Sequence, residues 1–156
     1  MAQRKVSHHK RIKSRSSSSV SGIKTGFIYE FKYRNKENDN YDKLPMVFVL
    51  SKKGKIVRGL NIGYLKEYKI QLLIDDFQRM RGERKGDLTP DLKKWPLFEK
   101  AFRTYSTKHM KMIKKIEWET DEDRARNNKI KVEEKLNDIN LEEPENQQIR
   151  NELDED

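Results

Sequence analysis

The chain has 156 residues, of which 33% are hydrophobic and 39% charged, with a net charge of +9 and no cysteine. That length suits one domain, the lack of cysteine excludes disulfides and thiolate metal sites, and no apolar run approaches the roughly 20 residues of a membrane-spanning helix. The basic N-terminus has no apolar stretch behind it, so it does not read as a secretory signal, and a cysteine-free chain fits a reducing compartment.

The net charge conceals a split. Residues 1–116 carry 29 Lys and Arg against 11 Asp and Glu, whereas residues 117–156 carry 6 against 15. A basic body with an acidic tail is the pattern of a polyanion binder, although a Lys-rich surface also serves solubility.

Residues 1–25 hold Arg4, Lys5, Lys10, Arg11, Lys13, Arg15 and Lys24, no acid, and the run Ser16–Ser19. With few large apolar residues they are expected to form a disordered basic arm that threads along phosphates. A solvated tail and an arm gripping a neighbouring subunit are the alternatives. Residues 26–118 are expected to fold. Phe27, Tyr29, Phe31 and Tyr33 alternate with Ile28, Glu30 and Lys32, the period of a half-buried strand. Arg34–Asn40 is polar and reads as a loop. Lys43–Leu50 forms a second strand, with Pro45 tolerated at its start. Ser51–Gly54 is a turn whose glycine can take positive φ, and Lys55–Ile62 completes a hairpin.

Tyr64, Leu65, Tyr68, Leu72, Leu73, Phe77 and Met80 recur every three or four residues, which predicts an amphipathic helix over 64–80. Gly82 stops it, and Arg79, Arg81, Arg84 and Lys85 crowd its C-terminal end, where the helix dipole favours cations. After a loop over 82–92, a second helix is expected from Lys93 or Pro96 to Lys108, burying Trp95, Leu97, Phe98, Phe102 and Tyr105. A short strand near Ile113–Glu117 follows. Residues 119–156 read as an acidic tail, weakly helical over 121–137 and disordered beyond. The fold class is therefore α+β: a small antiparallel sheet or SH3-like barrel with two packed helices, a basic N-terminal arm and an acidic C-terminal tail.

No catalytic constellation emerges. His8 and His9 sit in the arm, where nothing rigid would hold a metal or a general base, and His109 reads as a surface or capping residue. Glu30-Phe31-Lys32 has the Glu-x-Lys spacing of a nuclease core, but residues 1–29 contain no acidic partner for a divalent metal. Asp75 and Asp76 are helical neighbours that point about 100° apart. No glycine loop has phosphate-cradle spacing, and the serine run lacks a nucleophile elbow. The expectation is a non-enzymatic protein without metal or cofactor.

The positive signal is electrostatic. Lys52, Lys53, Lys55 and Arg58 surround the hairpin; Arg79, Arg81, Arg84 and Lys85 end the helix; and Lys108, Lys111, Lys114 and Lys115 form a third group. Together with Arg4, Lys5, Lys10, Arg11, Lys13 and Arg15 of the arm they outline a nucleic-acid footprint. Tyr33 and Tyr41 are the aromatics expected to be exposed for base stacking; the remaining aromatics are needed for a small core. With no helix-turn-helix or zinc pattern, nothing points to sequence specificity.

The stretch Tyr41-Asp42-Lys43-Leu44-Pro45-Met46-Val47-Phe48-Val49-Leu50, then Gly59-Leu60-Asn61-Ile62-Gly63-Tyr64-Leu65, resembles a family of small proteins of tailed bacteriophages, chiefly contractile-tailed ones. Phe102-Arg103-Thr104-Tyr105, with His109 and Trp118 after it, is similar to the family's second half. The resemblance spans roughly residues 26–118 and implies phage origin without naming a reaction. Asp42 and Asn61 are suited to tying loop backbone donors, and Tyr64 and Leu65 to packing the helix back on the sheet, so the shared motif reads as scaffold. The expected function is nucleic-acid binding, DNA or RNA, in the host cytoplasm or the virion. The alternative is a structural virion component, of baseplate, neck or tail, whose arm and tail grip other phage proteins. The acidic tail is expected to compete for the basic clusters.

Overall fold

The computed structural model describes residues 5–36, 41–80 and 86–142, without the side chains of 78–80 and 138–142. Among them six strands, β1 (Ile12–Ser17), β2 (Ile28–Tyr33), β3 (Met46–Lys53), β4 (Ile56–Asn61), β5 (Phe102–Ser106) and β6 (Met110–Trp118), form one antiparallel sheet in the order β1-β6-β2-β3-β4-β5. Four helices accompany them: α1 (Glu67–Met80), the single turns α2 (Thr89–Leu92) and α3 (Phe98–Ala101), and α4 (Asp121–Glu142). The chain divides into two compact units, Met1–Trp118 and Glu119–Asp156, and the fold class is α+β.

Each face of the sheet carries a hydrophobic core. Phe48, Leu50, Leu60, Ile116 and Trp118 pack against Leu65, Ile70 and Leu73 at the start and inner face of α1. The opposite face gathers Tyr29, Phe31 and Tyr33 of β2 with Val47, Val49, Val57, Tyr105 and Ile113. Strands β2 and β5 are separated in the order by β3 and β4, which would place them about 14 Å apart in a flat sheet. Yet the rings of Tyr33 and Tyr105 lie 5.0 Å apart and those of Phe31 and Tyr105 5.2 Å, and the Ser106 N–H donates to Tyr33 Oη at 3.1 Å. The sheet therefore curls until its concave face closes on these aromatics. Burial pushes the Tyr29 and Tyr105 phenols above their usual range. Tyr33 is buried and Tyr41 packs on Tyr33 and Tyr105, so neither is the exposed stacking platform expected; the aromatic that does face solvent is Tyr68.

Short polar side chains fasten the loops as their chemistry suggests. Asp42 Oδ1 accepts from the Leu44 N–H at 3.1 Å, Asn61 Oδ1 from the Gly63 N–H at 3.0 Å, and Asn61 Nδ2 donates to Asp42 Oδ2 at 3.3 Å. The β3–β4 hairpin turns at Gly54, whose φ of 59° is the left-handed region that glycine adopts without strain.

Two further expectations, both of secondary structure, are corrected. Residues 5–25 do not form a disordered arm: Ile12–Ser17 is an edge strand laddered to β6, and the segments around it are pinned. Val6 N–H donates to Gly63 O, Ser18 N–H to Ile113 O, and His8, buried, directs Nε2 at the carbonyls of Ile62 and Leu65 at 3.1 and 2.9 Å. Arg11 is buried with its guanidinium 5.5 Å from the centre of the Trp118 ring. An arginine that stacks on an indole behaves as an apolar plate with a charged edge, which composition counts as plain charge. Second, no helix runs from 93 to 108. Only α3 and the 3₁₀ turn Thr107–His109 are helical there, and Phe102–Ser106 is a strand paired with β4, Phe102 opposite Leu60 and Tyr105 opposite Val57. Within α1 the inner face is Ile70, Leu73, Ile74 and Phe77, while Tyr68 and Leu72 point outward.

Candidate nucleic-acid interface

The footprint residues meet different fates. Arg4, Arg81, Arg84 and Lys85, and the side chain of Arg79, lie outside the described residues. Arg11 is buried under Trp118 and cannot reach a ligand. Lys5 Nζ sits 2.7 Å from Asp42 Oδ2 and 3.1 Å from Leu44 O. Burial alone would raise the Asp42 carboxyl, but Lys5, the Leu44 N–H and Asn61 outweigh it and hold that carboxyl below the usual range. At the hairpin, Lys52 Nζ donates to Val20 O and Lys53 pairs with Asp87 at 3.4 Å, leaving Lys55 and Arg58 as the available cations of that group. Lys10 is exposed in a short 3₁₀ turn before β1.

The sheet brings the arm and the β6 group together. Ser17 lies opposite Lys114, Lys114 opposite Glu30, Lys111 opposite Lys32, and Arg15 opposite Ile116. Directly opposed residues share a face, so Arg15, Lys32, Lys111 and Lys114 stand together on three adjacent strands around the single carboxylate of Glu30, which pairs with Arg15 at 3.6 Å. Lys111 and Lys114 are three apart, and three apart in an unbroken strand means opposite faces. A bulge resolves the conflict: from Glu30 to Lys32 β2 advances two residues while β6 advances three, and Met112 takes a φ of 52°. The bulge thus turns Lys111 back to the side of Lys114.

Lys115 is not part of this patch. It lies opposite Ser16 and Tyr29 on the other face, with Nζ 4.2 Å from the centre of the Phe27 ring. Lys13 sits at the β1 bulge, 3.7 Å from Glu117. Lys32, absent from the sequence-derived footprint, had a readable signal: it occupies the non-aromatic positions of β2 with Glu30. Lys32 and Lys111 are exposed and directly opposed, an arrangement of like charges that destabilises a strand pair.

Beside the patch lies a pocket of about 290 Å³ lined by Lys5, His8, His9, Glu30, Met46 and Gly63, among others. Its charged groups are satisfied within the chain, Lys5 by Asp42 and Glu30 by Arg15. Among the described residues no cluster of three or more His, Asp or Glu is placed to hold a metal, and no helix is long and apolar enough to cross a membrane. Comparison with known proteins finds no family model, curated protein or solved structure that matches the chain.

Proposed function

We propose that this chain is a non-enzymatic protein that binds nucleic acid, DNA or RNA, by its phosphates. The observation that carries the reading is the patch on β1, β6 and β2, where Arg15, Lys32, Lys111 and Lys114 converge and Lys32 opposes Lys111. A pair of like charges held face to face is relieved when an anion settles between them, and each phosphate neutralised releases counterions. Ser17, exposed on the edge strand and opposite Lys114, adds a hydroxyl donor suited to phosphate oxygens. None of the Phe, Tyr or Trp side chains on β1, β6 and β2 is exposed, which favours backbone contacts over base stacking and therefore binding indifferent to sequence. The curled sheet, with its aromatic interior, supports reading the unit as a partly open SH3-like barrel. The proposed setting is an infected host cell, free or in the particle; what supports it is the resemblance of residues 26–118 to small tailed-phage proteins. A structural virion role is the alternative; of the two grips it requires, residues 12–17 are committed to the chain's own sheet.

Fluorescence anisotropy with labelled single- and double-stranded DNA and RNA, over a range of salt, tests the proposal. The triple variant Lys32→Ala, Lys111→Ala, Lys114→Ala is expected to reduce the slope of log affinity against log salt by about 2.7, or roughly 0.9 per lost contact. Raising salt from about 50 to about 200 mM would then weaken the variant roughly 40-fold less than the parent. No binding by the parent at about 50 mM salt, where such contacts are strong, overturns the proposal.

A further inference from the structure

Helix α4 carries a pattern that phosphate binding does not use. Its start is well built: Thr120 Oγ1 accepts from the Asp123 N–H at 3.1 Å while Asp123 Oδ2 accepts from the Thr120 N–H at 3.2 Å. This reciprocal capping box stands over a first turn of Asp121, Glu122 and Asp123 that favours the positive end of the helix dipole. The body of the helix is poorly supported. Asn127, Asn128, Asn137 and Asn140 are weak helix formers, and helices without tertiary packing are marginal in water at modest length. Ala125, Val132 and Leu136 fall on one stripe, seven and four residues apart, which Ile139 continues in sequence. Val132 is 58% exposed.

Charge indicates what covers the stripe. From 124 to 132 the helix bears Arg124, Arg126, Lys129 and Lys131 and no acid; from 133 to 142 it bears Glu133, Glu134, Asp138 and Glu142 against Lys135 alone. Past the acidic first turn, one segment of the helix is therefore positive and the next negative. A second α4 laid parallel would set like segments side by side, whereas an antiparallel one centred on Val132 sets the positive segment 124–131 along the negative segment 133–140. Flanking charges of this kind choose partner and orientation in helix pairs, and an isologous contact closes as a two-fold dimer. We propose that α4 is a self-association element that pairs antiparallel with α4 of a second copy. The inference stands independently of the nucleic-acid reading.

Sedimentation velocity on the full chain, free of nucleic acid, tests it between about 1 and about 100 µM, the range expected for a small two-helix contact. The mass is expected to double across that range and the helical circular-dichroism signal to rise with it. Val132→Asp with Leu136→Asp should stay monomeric throughout, with the near-ultraviolet signal of Trp118 unchanged. Two charge-reversed chains provide the decisive arm, one with Arg126→Glu, Lys129→Glu and Lys131→Glu, the other with Glu133→Lys, Glu134→Lys and Asp138→Lys. Each alone should be monomeric and their mixture should form a heterodimer. A parent that remains monomeric at every concentration, a dimer indifferent to the Val132 and Leu136 changes, or a mixture that fails to associate overturns the proposal.

Discussion

Arg11→Ala is the substitution that best tests whether residues 5–25 belong to the fold. The Arg11 side chain is 5% exposed and its guanidinium lies 5.5 Å from the centre of the Trp118 ring. A desolvated cation–π contact contributes about 2 kcal/mol, and burial of the aliphatic stem about 1 kcal/mol more. The ion pair with Glu67, at 3.7 Å, adds little because that carboxylate is 46% exposed and remains solvated when its partner leaves. The expected loss is therefore about 3 kcal/mol, a fall in melting temperature of about 10 °C for a unit of this size. Thermal melts read the loss, and hydrogen exchange at the Ser18 amide, which donates to Ile113 O, reads whether β1 has come loose. Lys13→Ala, exposed on the same strand, should stay within about 0.5 kcal/mol of the parent. Nucleic-acid affinity should also fall in Arg11→Ala, because Arg15 loses the strand that positions it, although Arg11 itself faces inward. The reasoning is refuted if Arg11→Ala loses less than about 1 kcal/mol and the Ser18 amide exchanges as in the parent.

Three further outcomes follow from single positions. A Cβ on Gly59 would collide with the Val47 side chain and lie 2.6 Å from the Phe48 carbonyl oxygen, so Gly59→Ala should destabilise by about 3 kcal/mol in urea titration; a loss below about 1 kcal/mol would show that the β3–β4 ladder yields more readily than such packing allows. Met112, 63% exposed at a φ of 52°, carries left-handed strain that glycine lacks, so Met112→Gly should stabilise by up to about 1 kcal/mol without weakening nucleic-acid binding, and a destabilised variant contradicts this. Because the folded state lowers the Asp42 carboxyl, its contribution is present above the unfolded carboxylate range near pH 4 and disappears as pH falls through the folded value. Asp42→Asn should accordingly cost about 1 kcal/mol at neutral pH and almost nothing near pH 2; equal urea midpoint shifts at both pH values would sink the linkage.

The elements that sequence reading found are those whose two faces differ. Tyr29, Phe31 and Tyr33 all enter the concave core, so the period of two in β2 was plain, and the β3–β4 hairpin announced itself through Gly54 between two apolar runs. β1 offered no such contrast. Every residue after Ile12 is exposed, and what holds the strand is its ladder to β6 and the burial of His8 and Arg11, residues that count as charge or polarity in any compositional measure. The missed β5 has a different cause. Phe98, Phe102 and Tyr105 are spaced four and three apart, which a helix would bring to one side, but Phe102 packs on the α1 side and Tyr105 in the concave core. Two apolar residues three apart on opposite faces are the mark of a strand buried on both sides, and short sequence windows do not separate the two cases.

The candidate site was legible as charge and illegible as geometry. Lys111, Lys114 and Lys115 look equivalent in sequence, yet the bulge at Met112 carries Lys111 to the side of Lys114 and leaves Lys115 on the other face over Phe27. The same operation brings Lys111 opposite Lys32, a residue that sequence reading assigned only to the solvent face of its strand. Each half of that opposed pair is unremarkable alone, and the arrangement costs stability wherever no anion is present. A fold that needed only solubility could have spared the cost by leaving β6 unbulged, with Lys111 and Lys114 on opposite faces. The bulge gathers these cations on the face of Arg15 at the expense of a left-handed methionine, and this is the observation on which the proposal of polyanion binding leans most.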